Sequence, residues 1–193
     1  MTLAKTAPGK GWTDDQLVRA CRKGDARAWA ALIEKYKNLI FSIPIKFGLP
    51  PEDAADVFQT VCSELLVGLS ELREPKALPK WLIQTSYHQC LRWKKERTRL
   101  QVDAEAVESE ATPADILPEN ILTELQREQS VRDAIAQLPE RCNRMVTMLF
   151  FEDPPRSYDE VAKQLQLATG SIGFIRGRCL KKLRQILEEK GFR

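Results

Sequence analysis

The chain has 193 residues, 43% of them hydrophobic and 30% charged, with a formal net charge of +3. That length suits one or two domains, each large enough for a small core. The first twelve residues lack the apolar core of a signal peptide, and nowhere do 18 apolar residues run together; the expectation is a cytoplasmic protein with no membrane partner.

The mean charge hides a strong segregation. Residues 92–99 carry five basic groups and one acid, residues 100–120 carry six acids and no Lys or Arg, and residues 170–193 carry seven basic groups against two acids. The order along the chain is basic, acidic, basic.

Residues 1–12 are expected to be disordered. Thr13 with Gln16 then forms a capping box that opens a first helix through Leu17, Val18 and Cys21. Gly24 stops it and Asp25 caps the next, whose apolar marks are Trp29, Leu32, Ile33, Tyr36, Leu39, Ile40 and Ile43, with Pro44 a kink or an end. Pro51 suits the first turn of a third helix, with an apolar face of Ala54, Val57, Phe58, Val61, Cys62, Leu65, Leu66 and Leu69. Opposite that face runs a polar stripe of Asp56, Gln59, Thr60 and Ser63. After a loop with Pro75 and Pro79, a fourth helix runs from about Lys80 to Arg99 and closes a first domain over 13–99. It interleaves Trp81, Tyr87 and Trp93 with Arg92, Lys94, Lys95, Arg97 and Arg99, a mixture suited to unstacked bases. Trp81 fits the core better than a stacking platform.

Residues 100–120 have no apolar period and contain Pro113 and Pro118; they read as a flexible linker. Helices resume in a second domain over 121–193. A break at Asp153-Pro154-Pro155 precedes a second capping box, Ser157 with Glu160. From there "SYDEVAKQLQLATGSIGFIRGRCLKKLR" reads as helix, turn, helix, with Leu167 plugging the turn and Thr169 capping the second helix. The fold class is all-α: two helical domains, the second carrying a helix–turn–helix.

The second helix of that pair carries Gly170, Gly173 and Gly177 on the side turned away from Ile172, Ile175, Cys179, Leu180, Leu183, Ile186 and Leu187. Each glycine costs about 1 kcal/mol against alanine in a helix interior. Phe174, Arg178 and Lys181 share the glycine side. Outward glycines beside outward cations make sense where a phosphate backbone or base edges come very close. A solvated basic face with incidental glycines is the plainer alternative.

Five cysteines (21, 62, 90, 142 and 179) are scattered singly among apolar residues. This favours buried, reduced thiols over a disulfide or a metal role. One histidine, no metal-ligand cluster, no phosphate-cradling glycine loop after a strand and no nucleophile elbow leave an enzyme with little support; neither cofactor nor metal is expected.

The order of these motifs resembles the extracytoplasmic-function (ECF) sigma factors of the sigma-70 family, the two-domain initiation subunits of bacterial RNA polymerase. The resemblance runs from about Thr13 to Leu187. "DDQLVRACRKGDARAWAALIEKY" is similar to the family's opening, and "EDAADVFQTVCSELL" to its polymerase-clamp-binding helix. "WLIQTSYHQCLRWKKERTR" resembles the helix near the −10 promoter element, and the segment from Leu138 to Arg184 the domain that reads the −35 element.

The resemblance implies that Asp56, Gln59, Thr60 and Ser63 meet core polymerase (the beta and beta-prime subunits). It assigns the −10 element to Lys76, Lys80, Tyr87, His88, Arg92, Trp93 and Lys95. The −35 element falls to Thr169, Ser171, Gly173, Phe174, Arg176, Arg178 and Lys181. Its partners are core polymerase, promoter DNA and, in some members, an anti-sigma factor, and the activity is not enzymatic. His88 stands where the family often has Asn, Arg92 where an acid is common, and Phe174-Ile175-Arg176 replaces Ser-Arg-Leu. The family's base preferences are therefore not carried over. A stand-alone helix–turn–helix regulator is the alternative; it leaves the first domain and the acidic linker without a role.

Overall fold

A computed structural model describes residues 12–101 and 118–192. Residues 1–11 of the expected disordered N-terminus and most of the expected linker lie outside these, whereas Trp12 packs on the first core. The described residues form eight α-helices and no strand: α1 (Asp14–Arg22), α2 (Ala26–Lys46), α3 (Pro51–Gly68), α4 (Leu78–Gln101), α5 (Glu119–Ala136), α6 (Glu140–Phe150), α7 (Tyr158–Leu165) and α8 (Ile172–Glu189). Among them no helix is long and apolar enough to cross a membrane. The chain divides into two compact units between Gln129 and Ser130.

In the first unit, α1 begins with the expected capping box: Gln16 N–H donates to Thr13 Oγ1 at 3.3 Å and Thr13 N–H to Gln16 Oε1 at 2.9 Å. Gly24, at φ +77°, turns the chain so that Asp25 can accept from the amides of Arg27 and Ala28 at the head of α2. Pro44 sits inside α2, which continues two residues past it. Leu17, Val18, Leu32, Leu39, Ile40, Val57, Val61, Leu65, Leu82 and Ile83 form one core from the four helices. Trp81 packs against it half-buried, as its pattern implied. The Arg22 guanidinium donates from Nε to Leu69 O at 3.1 Å and also to Leu72 O, tying α1 to the end of α3. Tyr36 is buried, and its hydroxyl donates to Asp14 Oδ1 at 2.7 Å.

The start of α5 belongs to this unit. Leu125 is fully buried in the first core, Ile121 and Leu122 pack on it, and Lys46 pairs with Glu124 at 3.0 Å and Glu128 at 2.7 Å. A boundary placed at 121 from composition misses this, because Ile121, Leu122 and Leu125 of α5 serve the first core. The hydrogen bond that Lys46 donates to Glu128, supported by the one to Glu124, holds its ammonium above the usual lysine range despite opposing burial.

The second unit is built on Ile135, Leu138, Cys142, Met145, Val146, Met148, Val161, Ala162, Leu165, Ile172 and Cys179. Its capping box is also formed: Ser157 N–H donates to Glu160 Oε2 at 2.8 Å, and this bond with that of the Ser157 hydroxyl holds the Glu160 carboxyl below its ordinary range. Gln166 ends α7 in the left-handed conformation (φ 54°, ψ 51°), and the Leu167 amide reaches back to Ala162 O at 2.8 Å.

The cysteines depart from expectation. Cys142 of α6 and Cys179 of α8 are joined in a disulfide, their Cα atoms 5.3 Å apart. Cys21, Cys62 and Cys90 are free. Burial pushes the Cys21 thiol up to about 11, with the Asp25 carboxylate adding to it, and the Cys90 thiol up to about 12; burial also raises Cys62. Thiolate is the reactive form, so the folded protein at pH 7.5 should react with iodoacetamide far more slowly than a free thiol. Denaturation without reductant should release three thiols, counted by mass. Fast labelling of the native chain would contradict this burial.

Candidate nucleic-acid interface

Three surfaces correspond to the residue sets singled out above. On α8 the expected outward face exists. A Cβ built on Gly173 or Gly177 meets nothing within 4 Å, nor does one on Gly170, which lies in the short turn before α8 and not on the helix as its pattern implied. Phe174 is 70% exposed, Arg178 and Lys181 are exposed, and the Arg178 guanidinium lies over the Phe174 ring, 5.6 Å from its centroid. Ile172 and Cys179 anchor the opposite side in the core.

Three details of this helix differ from the pattern. Thr169 does not cap α8: it opens a short 3₁₀ turn, Thr169–Ser171, with no side-chain cap, and the Ser171 hydroxyl donates to Ala168 O at 2.7 Å. The tight turn carries the chain into the helix without a side-chain oxygen. Arg176 is half-buried, its guanidinium 5.7 Å from the Tyr158 ring centroid of α7 and its Nε buried without a hydrogen-bond partner. It therefore packs the two helices of the motif together. Leu180, grouped with the inward residues, is 36% exposed.

On α4, successive residues advance by 100°. Lys80, His88, Arg92 and Lys95 fall within about 120° of one another on that wheel, and all four are exposed. Lys76, in the 3₁₀ turn Pro75–Ala77 just before the helix, is exposed as well. Tyr87 does not join them. It is 6% exposed and meets Phe47 edge-on at 5.2 Å, because Leu82, Ile83, Ser86, Tyr87 and Cys90 form the inward stripe of the helix. A buried ring offers no face to a base. Trp93 is half-buried, and Arg97 lies over its ring at 5.1 Å while also pairing with Asp53 at 3.1 Å. The exposed set is thus a cationic stripe edged by one shielded indole.

On α3, Asp56, Gln59, Thr60 and Ser63 are all exposed on one face. The Thr60 hydroxyl donates to Asp56 O and the Ser63 hydroxyl to Gln59 O, both at 2.9 Å; the free hydrogen-bonding groups are the Asp56 carboxylate and Gln59 amide. Leu66 and Val67 extend this face, 62% and 76% exposed. The apolar pattern assigned Leu66 to the core. Its spacing of three from Ser63 and seven from Gln59 places it on the outer stripe instead.

No family model matches the chain. Among curated proteins it is 28% identical over 167 residues to the RNA polymerase sigma-H factor of Pseudomonas aeruginosa, covering 82% of this chain and 86% of that one. It is 25% identical over 168 residues to the ECF RNA polymerase sigma-E factor of Escherichia coli K12, with 83% and 86% coverage. To the sigma-E factor of Haemophilus influenzae it is 23% identical over 186 residues, with 92% and 95% coverage. Among solved structures, CnrH in complex with the cytosolic domain of CnrY aligns over 91% of this chain and 97% of that one, at 19% identity and a TM-score of 0.38. The curated matches make the chain a homologue, over most of its length and at modest identity, of the ECF sigma factors of RNA polymerase.

Proposed function

We propose that this protein is a non-catalytic promoter-specificity subunit that binds core RNA polymerase and directs it to promoters through −10 and −35 elements. The observation that carries the reading is that two separately packed units each expose a surface of a different kind. The α3 face, with Asp56, Gln59, Leu66 and Val67, combines polar and apolar groups in the manner of a protein interface. The α8 face, with bare glycines, Arg178 and Lys181, suits close approach of duplex DNA. A stand-alone regulator has need of the second only. The α4 stripe of Lys80, His88, Arg92 and Lys95 suits the −10 region, with the flanking Lys76. Work in the cytoplasm follows from this role, and an anti-sigma factor is the natural further partner.

The test is transcription from a genomic template library by core polymerase with and without the protein. Discrete start sites dependent on the protein support the reading; DNA binding without any association with core polymerase overturns it. Asp56→Arg together with Gln59→Ala should weaken core binding by roughly tenfold or more, about 1.4 kcal/mol. Its helical content should not change, since both side chains are exposed. Wild-type affinity of the folded double mutant would remove α3 from the polymerase interface.

A further inference from the structure

Phe174 has an unusual setting. On a helix surface a side chain is flanked by the positions three and four residues away, here Gly177 and Arg178 of α8, with Gly170 and Ser171 of the 3₁₀ turn preceding it. Two of these have no side chain, and a Cβ added at either meets open space. The Ser171 hydroxyl is turned to Ala168 O. The Arg178 guanidinium lies over the ring. The 70% exposed ring therefore stands beside bare glycine positions, propped by a cation, with Lys181 two turns on.

A protein-binding surface gathers apolar groups into a patch whose core excludes charge. This arrangement is the reverse, a single apolar group among cations. It suits a polyanion that presents isolated apolar points, and in the major groove of DNA that point is the 5-methyl group of thymine. Phe174 is also the third residue of α8, in the first turn, where recognition helices meet base edges.

Resting on the −35 reading above, the geometry points to Phe174 as a specificity-determining residue that reads the 5-methyl group of one thymine, with Arg178 as the positioning residue that holds the ring upright. The ring has no hydrogen-bonding group, so it distinguishes thymine by the methyl alone.

The experiment uses the full-length protein and −35 duplexes recovered from its own promoters, with each thymine in turn replaced by deoxyuracil. That change removes the methyl group and leaves every hydrogen-bonding group in place. One position should show binding weakened about fourfold, the worth of one buried methyl-sized group. Phe174→Ala should bind thymine and deoxyuracil at that position equally well. If the wild type binds the duplexes but is indifferent to deoxyuracil everywhere, or if Phe174→Ala keeps the discrimination, this inference fails while the −35 reading stands. If Phe174→Ala instead impairs only assembly with core polymerase, the ring faces protein and the inference is likewise overturned. No salt-sensitive binding to any duplex would sink the −35 reading itself.

Discussion

Loss of the Cys142–Cys179 bond should lower the stability of the C-terminal unit by about 4 kcal/mol. The two cysteines are 37 residues apart in sequence, and the chain-entropy relation for closing a loop of that length gives this magnitude. The bond joins α6 to α8, so it restrains α8 against the core on which it is mounted. A convenient internal control exists. All four tryptophans, at 12, 29, 81 and 93, belong to the first unit. In a urea titration of Cys142→Ala/Cys179→Ala, the helical signal of the second unit should melt earlier while the tryptophan signal keeps its midpoint. Denatured wild-type protein should show three reactive thiols without reductant and five with it. Five thiols in both conditions, or a double mutant as stable as the wild type, would contradict the bond.

Gly173→Leu should move stability and DNA binding in opposite directions. Leucine is the better helix former by roughly 0.5–1 kcal/mol, and at this position its Cβ meets nothing in the free protein. Thermal unfolding of the second unit should therefore shift slightly upward. The same side chain occupies the space that the proposed −35 role gives to DNA, and affinity for a −35 fragment should then fall roughly tenfold or more, about 1.4 kcal/mol. Arg178→Ala separates bulk from charge. If the guanidinium meets a phosphate, its removal flattens the salt dependence by about one unit of slope; if it meets a base edge, its removal relaxes the preference at a single position. Unchanged binding by both folded mutants would mean that this face does not meet DNA.

The helices were legible because their signals are local. Thr13 with Gln16 and Ser157 with Glu160 form the boxes their spacing announces, and Pro51 begins α3. The outward glycines of α8 were legible for the same reason, since the wheel that buries Ile172 and Cys179 turns them away. What escaped depends on packing between distant segments. Cys142 and Cys179 come within bonding range only through the stacking of α6 on α8, and nothing in their spacing says so. Tyr87 carries a polar tip among cations yet falls on the inward stripe against Phe47. Leu125 lies just past an acidic stretch, but its side chain completes the core of the preceding helices. Thr169 has the chemistry of a cap, and the 3₁₀ turn makes the cap unnecessary. For Cys142, Tyr87 and Leu125, a residue type with two plausible roles was decided by a neighbour far along the chain.

The bare positions on α8 also bear on how readily such a protein changes its target. Because Gly173 and Gly177 of α8 contribute nothing to the core and each faces open space, a new side chain there alters the exposed surface without disturbing what is folded. Elsewhere in a closely packed domain a change of specificity brings a structural cost with it. Here a single replacement by arginine, asparagine or glutamine would add a donor or acceptor pattern for a base edge on a helix that becomes more stable in the process. Under the −35 role proposed above, base preference is separable from foldability at these two sites, which makes this helix a practical place to retarget by design.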